Sequence, residues 1–129
     1  MNIGSASQAT NLPEKTIRYY EDIGLITPQR AANGYRVYTE QNIHTLSFLA
    51  KARGLGFSID DCRALLTLYS DRGRASSDVK RIASNHLKMI EQKIKELQAM
   101  QGTLNNLIDH CAGDKRPDCP ILDKLSDLS

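Results

Sequence analysis

The sequence predicts a mainly α fold, in which several short helices precede one long amphipathic helix. The chain of 129 residues has no Trp, and its aromatic content of 5% favours helix-on-helix packing over a thick globular core. Beyond residue 76, apolar residues recur at alternating spacings of four and three, which is the period of a coiled-coil seam. The segments before residue 76 are punctuated by glycine, proline and capping residues, so each short helix can be placed separately.

The first two predicted helices are short and lie close together in the sequence. Residues 4–10 suit a helix, and a tight turn follows at Asn11. Pro13 suits the first turn of the next helix, residues 14–23, because its missing N–H costs nothing there. Gly24 then ends this helix. A helix, a short turn and a basic second helix form a helix-turn-helix pattern, although any small helical hairpin gives the same pattern.

A two-stranded hairpin is predicted after the second helix. Asn33-Gly34 is a strong hairpin turn, because both residues tolerate positive φ. Residues 35–38 alternate aromatic, basic and apolar side chains, as a strand does. A wing of this kind beside a helix-turn-helix can reach DNA phosphates, which favours DNA binding. The candidate phosphate contacts on the wing are Arg30, Tyr35, Arg36 and Tyr38.

The net charge of +2 belongs to the N-terminal part of the chain. Residues 1–56 carry six basic and four acidic side chains, while residues 57–129 carry eleven of each. This asymmetry is a weak indication of nucleic-acid binding. We find no nucleophile–base pair, phosphate-binding Gly loop or paired carboxylates, so an enzyme is the least favoured class. With no long apolar run and no signal-peptide pattern, we expect a cytoplasmic protein without a membrane partner.

Two further helices are predicted between the wing and the long helix. Thr39 is the expected N-cap of a third helix, residues 40–53. Ser58 starts a pattern that resembles a capping box and opens a fourth helix, which ends near Tyr69. Residues 71–74 read as a linker. We therefore expect three parts, at residues 1–70, 76–110 and 111–129.

The long helix carries an apolar seam that it cannot bury alone. No second long helix exists in the chain to cover it, so we expect a homodimer built on a coiled coil. Gln101 is a polar interruption of the seam that could fix its register. The seam consists of Ala83, Leu87, Ile90, Ile94, Leu97, Gln101, Leu104 and Ile108.

Cys111 and Cys119 bracket a short loop after the long helix. Such a pair can form a disulfide or hold a soft metal ion, and a reducing compartment disfavours the disulfide. Pro120 suits the first position of a short helix, which makes Cys119 its N-cap, where the helix dipole favours thiolate. Thiolates select Cu(I), its heavier relatives or zinc, but zinc normally takes further ligands. A thiol redox switch remains the alternative, and Cys62 is expected to pack on a helix face.

The loop also carries side chains that could act as additional ligands. His110, Asp114 and Asp118 could join the two sulfurs, although consecutive helical residues such as His110 and Cys111 point about 100° apart. Two thiolates alone match linear coordination of a monovalent ion. Such a centre carries a net negative charge, so its burial requires a nearby positive charge or helix start.

The residues from Thr16 to Ile26, together with those from Asn33 to Tyr38, strongly resemble the MerR family of transcription regulators. The Cys111–Cys119 loop resembles the copper-responsive branch of that family. The resemblance implies an antiparallel dimer with a winged helix-turn-helix at each end, which distorts promoter DNA for RNA polymerase when metal binds. It also implies DNA contacts, of which at least one tyrosine should pack inward, by Lys15, Thr16, Arg18, Tyr19, Tyr20 and Arg53, besides the wing residues.

The resemblance also suggests which metal the loop senses. Zinc- and mercury-sensing relatives have a cysteine at the start of the dimerisation helix, where this chain has Ser76 or, one position later, Ser77. Without a third thiol a divalent ion is under-coordinated. Lys80 could offset the negative centre. The resemblance therefore implies one Cu(I) per subunit on Cys111 and Cys119, with Ag(I) or Au(I) as alternatives.

Overall fold

The structure, a computed structural model, describes residues 1–114, 117 and 119–127. The chain divides into two compact units, Met1–Ile82 and Ala83–Ser129, which we call the N-terminal and C-terminal units. Within the described residues, no helix is both long enough and apolar enough to cross a membrane. The predicted mainly α fold is confirmed, and the elements in chain order are α1 (Ile3–Thr10), α2 (Glu14–Asp22), β1 (Gln29–Arg30), β2 (Arg36–Val37), α3 (Glu40–Gly54), α4 (Ile59–Ser70), α5 (Ser76–Asp109) and α6 (Pro120–Ser126).

Helices α1 and α2 form the predicted helix-turn-helix. The side chain of Asn2 caps α1 by accepting a hydrogen bond of 2.8 Å from the Ser5 N–H. Asn11 ends α1 in the left-handed conformation, with φ of 56°, which asparagine tolerates better than most residues. Helix α2 starts directly after Pro13. The turn between the helices therefore depends on residues whose backbone preferences are visible in the sequence.

The C-terminal end of α2 is held by both local and distant residues. Gly24 follows with φ of 79°, as expected of a glycine after a helix end. A guanidinium N–H of Arg63, on α4, donates a hydrogen bond of 2.8 Å to the carbonyl of Ile23. One of the carbonyls that a helix end leaves unsatisfied thus has a side-chain partner from forty residues further along the chain.

The wing is shorter than the sequence predicted, and its turn differs from the expected type. Strands β1 and β2 pair antiparallel, with Arg30 opposite Arg36. The hairpin turn lies at Asn33-Gly34 as predicted, but only Gly34 adopts positive φ, at 85°, and Asn33 does not. Asn33 instead accepts a hydrogen bond from the Tyr35 N–H through its side chain, at 3.1 Å. Its side chain stabilises the turn without the mirror-image backbone.

The predicted caps of α3 and α4 are both present. Thr39 and Asn42 form a reciprocal capping box at α3, which satisfies two N–H groups at once. At α4, Ser58 accepts a hydrogen bond of 3.1 Å from the Asp61 N–H. The sequence analysis expected the box-like pattern at Ser58, whereas the full box is observed at Thr39.

All fully buried apolar side chains that the structure describes lie in the N-terminal unit. They come from α1, α2, α3 and α4 and from the segments around the wing, so the core joins the helix-turn-helix to the helices behind it. Cys62 is among them, which confirms the packing role expected of it. The cluster consists of Ala6, Ile17, Tyr20, Ile26, Tyr38, Leu46, Leu49, Ala52 and Cys62.

Helix α5 contrasts with this core. None of its residues is buried, although its apolar positions repeat with the predicted spacing. Helix α6 follows with Pro120 at its first position and Cys119 as N-cap, as predicted. The exposed apolar positions of the predicted seam on α5 include Leu87, Ile90, Ile94, Leu97, Leu104 and Ile108.

Candidate DNA interface and metal site

Helix α2 presents one face to solvent and buries the other. Lys15, Arg18 and Tyr19 are exposed, and the Tyr19 side chain is 48% accessible. Thr16 is half-buried. Ile17 lies on the opposite side and is completely buried. The accessible face of α2 therefore carries two cations, from Lys15 and Arg18, together with the hydroxyl-bearing side chains of Thr16 and Tyr19. These groups are suited to phosphate and base-edge contacts.

Tyr20 is a core residue rather than part of this exposed face. Its side chain is 4% accessible, which confirms the expectation that one of the two adjacent tyrosines packs inward. Burial raises the pKa of its phenol, while the positive charge of Arg53 partly opposes that rise. Because the ring faces the core, the carried-over DNA contact of Tyr20 is not supported by its position.

Tyr38 also requires a correction. The sequence analysis placed it on the DNA-facing side of the wing, but its side chain is 1% accessible. Its hydroxyl is buried and has no hydrogen-bond partner within the described part of the chain. Burial raises the pKa of this phenol as well. The alternation across β2 therefore points Tyr38 into the core, whereas Tyr35, at 74% accessibility, is fully in solvent.

The two wing arginines are tied to helix α2 by a single carboxylate. Glu21 accepts a hydrogen bond from Nε of Arg36 and lies 3.5 Å from a terminal nitrogen of Arg30. A second nitrogen of Arg30 donates to the Gly34 carbonyl at 3.2 Å. The hydrogen bond and charge of Glu21 raise the pKa of Arg36 above its ordinary value. The carboxylate thus sets where both guanidinium groups lie.

Glu21 was missed by the sequence analysis, although the sequence contains a signal for it. The residue lies four positions after Ile17, so it shares the inward-facing side of α2. An acidic residue on an apolar helix face needs a cationic partner, since an unpaired buried charge is costly. The two arginines of the predicted wing were the available partners.

An open cleft of about 480 Å³ lies between α2 and the wing. Its wall includes basic side chains from three separate elements, which converge here because β1 and β2 pair beside the end of α2. A groove lined with cations concentrates an anionic ligand at its surface. The lining residues are Asn2, Ile3, Arg18, Arg30, Gly34, Tyr35 and Arg36.

Arg53 lies in the last turn of α3. Its side chain is exposed, and one guanidinium nitrogen donates to the Phe57 carbonyl at 2.6 Å. This bond holds the guanidinium beside the end of α3 and leaves further N–H donors available to a phosphate.

The two loop cysteines are free thiols and are half-buried. Cys111 follows α5, and its N–H donates to the Ile108 carbonyl at 3.1 Å. Cys119 caps α6, where its carbonyl accepts from the Asp123 N–H at 3.0 Å and its sulfur makes no capping bond. Each backbone is therefore fixed by a helix end, while each sulfur keeps its ligand capacity. Two soft thiolate donors suit a soft metal ion.

The sequence also offered ligands beyond the two cysteines, of which His110 already has a hydrogen-bond partner. Nδ1 of His110 lies 2.7 Å from the Asn106 carbonyl, which can only accept, so Nδ1 carries the proton. Among the described residues, no group of three or more His, Cys, Asp or Glu side chains could hold a metal ion. Asp118 lies outside the described residues. Ser76, Ser77 and Lys80 are exposed at the start of α5.

The helix-turn-helix, its wing and the basic cleft define a DNA-binding protein of the winged helix-turn-helix class. The chain belongs to the MerR family of helix-turn-helix transcription regulators. The family model described as MerR HTH family regulatory protein matches residues 1–68, and the one described as MerR, DNA binding matches residues 43–107. Regulators of this family bind promoter DNA, and they typically form homodimers.

Three known proteins illustrate the similarity over almost the whole chain. The transcriptional regulator HmrR of Rhizobium leguminosarum bv. viciae is 57% identical over 127 residues, which cover 98% of each chain. CueR of Escherichia coli O6:H1 is 44% identical over 127 residues, covering 98% of this chain and 94% of that protein. The crystal structure of the regulator PbrR691 from Ralstonia metallidurans CH34, in complex with lead(II), has a TM-score of 0.83 at 28% identity, covering 98% and 99% of the chains.

Proposed function

We propose that this protein is a Cu(I)-responsive activator of copper-export and detoxification genes. In this proposal a homodimer holds promoter DNA through its winged helix-turn-helix units, and each subunit binds one Cu(I) through the thiolates of Cys111 and Cys119. Ag(I) and Au(I) are the alternative inducers, because all three ions accept two thiolates. The observation that carries the proposal is the pair of free, half-buried thiols fixed at the end of α5 and the start of α6.

The chemistry of this donor pair supports a monovalent ion. Zinc in structural sites is held by four ligands, and in catalytic sites by three ligands and water. Two thiolates satisfy a linear d¹⁰ ion, which would link the two ends of the loop. Relatives of this chain include CueR and regulators called heavy metal-dependent, which agrees with a metal-sensing loop.

Two thiolates and one monovalent ion leave a net charge of −1, which the protein must offset if the loop is buried in the dimer. The start of α5 offers N–H groups at the positive end of a helix dipole, with Lys80 about one turn inside. We propose that these groups, supplied by the partner subunit, face the bis-thiolate centre. Ser76 and Ser77 supply hydroxyls there instead of a third thiol.

The output of the switch is the shape of the DNA. Bending or untwisting a promoter costs free energy, and a protein that binds one shape more tightly shifts the DNA toward it. The dimer needs two conformations with different fits to DNA, and the closed metal loop must favour one of them. In this way RNA polymerase would receive a correctly aligned promoter without a change in how much regulator is bound.

X-ray absorption on anaerobically loaded protein tests the coordination directly. We expect one Cu(I) per subunit with two sulfur ligands in a linear centre. Three or four ligands, or a nitrogen in the shell from His110, would overturn the two-coordinate proposal. The number of copper ions per subunit should be measured on the same sample. One ion per subunit agrees with a single loop site, whereas several would indicate binding to surface groups.

Substitution of each loop cysteine tests the role of the pair. Cys119→Ser should lose metal induction while keeping DNA binding, since serine is a better N-cap than cysteine and α6 should remain intact. Cys111→Ser should behave in the same way. Cys62→Ala is the control, because this thiol is buried in the core of the N-terminal unit, and it should retain induction. Induction that survives in either loop variant would contradict the proposal.

In vitro transcription distinguishes the inducers. Cu(I) should activate a matched promoter, whereas Zn(II) at the same free concentration should not. If Zn(II) activates equally well, the copper proposal fails. Comparison with Ag(I) and Au(I) identifies the preferred ion, and activation of metal-free protein by an oxidant would instead favour a thiol redox switch.

A further inference from the structure

Glu21 is the one carboxylate in the described structure that contacts both arginines of the wing. It projects from the last turn of α2, and its side chain is 16% accessible. Arg30 lies on β1 and Arg36 lies directly opposite on β2. A single acidic side chain therefore connects the recognition helix to both strands of the wing.

The ion pairs leave part of each guanidinium available. Arg36 donates to Glu21 through Nε, and Arg30 uses one terminal nitrogen for Glu21 and the other for the Gly34 carbonyl. A guanidinium has more N–H donors than these bonds occupy. The side chain of Arg30 is still 54% accessible and that of Arg36 is 35% accessible. Both can contact a phosphate while Glu21 holds them.

We infer that Glu21 is a positioning residue for DNA recognition, which fixes the direction of the wing arginines and so raises the affinity for operator DNA relative to unrelated DNA. This inference rests on the wing contacting phosphates, but it does not depend on which metal the loop senses. It concerns a residue that touches the arginines and need not touch the DNA.

Two effects of the carboxylate have to be separated. Its negative charge offsets part of the positive charge of the wing, which weakens binding to operator and unrelated DNA alike, because both present the same phosphate charge. Its bonds also hold the two guanidinium groups in one arrangement relative to α2, so phosphate contacts form in register with the base contacts of that helix. Only operator DNA offers both sets of contacts, so the fixed arrangement is what raises specificity.

Glu21→Gln tests this inference in metal-free protein. Affinities for operator DNA and for unrelated duplex of equal length should be measured by fluorescence anisotropy across a salt series. We expect the slope of log K against log salt to steepen by about one for unrelated DNA, because the loss of the Glu21 charge raises the net positive charge of the wing by one. The ratio of operator to unrelated affinity should fall by about tenfold, which at 1.36 kcal/mol per decade is about 1.4 kcal/mol.

Asp22→Asn is the matched control, since it removes the same charge from the next residue of α2 and leaves both Glu21 ion pairs in place. It should raise both affinities by similar factors and keep their ratio. If Glu21→Gln and Asp22→Asn give the same ratio, Glu21 acts through charge alone and the positioning inference is overturned.

Two further variants keep the outcome interpretable. Glu21→Asp retains the charge but has a shorter reach, so its salt slope should stay near wild type while its specificity ratio falls. If Glu21→Gln is unstable by thermal unfolding, this variant still decides the question, because an unchanged ratio would overturn the inference. Arg36→Ala should flatten the wild-type slope by about one. An unchanged slope would show that the wing does not contact phosphate, which overturns the inference because it rests on that contact.

Discussion

The two compact units of this protein differ in where their apolar side chains lie. The N-terminal unit buries a cluster of nine hydrophobic residues, including Leu46 and Leu49 at zero accessibility. In α5 and α6, no residue is buried within the part of the chain that the structure describes. A helix with an exposed apolar stripe depends on a partner for its stability. The difference indicates that one unit folds on its own contacts and that the other depends on association.

The largest effect expected from this difference concerns thiol reactivity. In anaerobic, metal-free protein, Cys111 and Cys119 should react quickly with a disulfide reagent, whereas Cys62 should react at least about 1000-fold more slowly, because its attack requires opening of the core. Burial also raises the pKa of the Cys62 thiol and so depletes its thiolate. Stopped-flow thiol titration measures the reaction rate of each cysteine. In denaturant, all three thiols should react at similar rates. Three fast phases in native protein would remove the contrast between the units.

Truncation of a core side chain should show the self-sufficiency of the N-terminal unit. Leu49→Ala should lower the free energy of unfolding by about 2–5 kcal/mol, since it leaves a cavity in packed surroundings. Leu55→Ala, at a position that is 67% accessible, is the control and should cost less than about 0.5 kcal/mol. Urea unfolding, followed at several protein concentrations, gives both values. A similar cost at the two positions would be inconsistent with a locally formed core.

The C-terminal unit should respond in the opposite way, through association. Leu97→Glu places a carboxylate on the predicted seam of each subunit, and we expect the dimer to weaken by about 100-fold or more. Gln98→Glu makes the same charge change one position away from the seam and should leave the dimer nearly unchanged. Sedimentation equilibrium measures both. Equal effects at residues 97 and 98 would mean that α5 associates through a different face.

The smallest expected effect is a loss of stability at alkaline pH that belongs to the N-terminal unit. Burial raises the pKa of Tyr20, Tyr38 and Cys62 above their ordinary values of 10.0, 10.0 and 9.0. The folded state therefore keeps these protons when the unfolded state releases them, so the stabilising contribution is complete below about pH 9 and is lost as the pH rises further. Urea midpoints between pH 8 and pH 11 should fall. Cys62→Ala should reduce the early part of this decline, and a midpoint that rises with pH would contradict it.

Much of the helical framework was predictable, because the chain marks its own helix ends. Thr39, Ser58 and Pro120 are residues whose side chain or ring suits the start of a helix, and each helix begins where they predicted. Gly24 marks the end of α2 for an equally local reason. These are properties of one turn of chain, so tertiary contacts were not needed to infer them.

The site was less predictable, because it depends on which face of an element turns inward. The short strand around Arg36 alternates sides, and the sequence does not say which side meets the core, so Tyr38 was assigned to the DNA face and is buried. Asn33 is compatible with several turns, and in the structure its side chain accepts a hydrogen bond from the Tyr35 N–H while its backbone stays out of the positive-φ region. Glu21 acquires its role from two arginines nine and fifteen residues away.

The metal loop shows a different limit. Its cysteines and the following helix start were recognised from residue type and spacing, yet the arrangement of their sulfurs relative to a partner subunit is a property of the assembly. Ser76, Ser77 and Lys80 can lie near the loop of the other subunit only if the dimer brings the start of α5 close to it. Their proposed role therefore remains a prediction for the dimer.

The hydrogen bond from Arg63 to Ile23 has an electrostatic consequence for helix α2. The backbone dipoles of α2 place partial negative charge at its C-terminal end, and a guanidinium there counterbalances it. The opposite end, with the partial positive charge, begins at Glu14, next to the exposed Lys15. The guanidinium thus reduces the repulsion between the C-terminal end of α2 and a nearby polyanion, and it comes from α4, outside the helix-turn-helix and its wing.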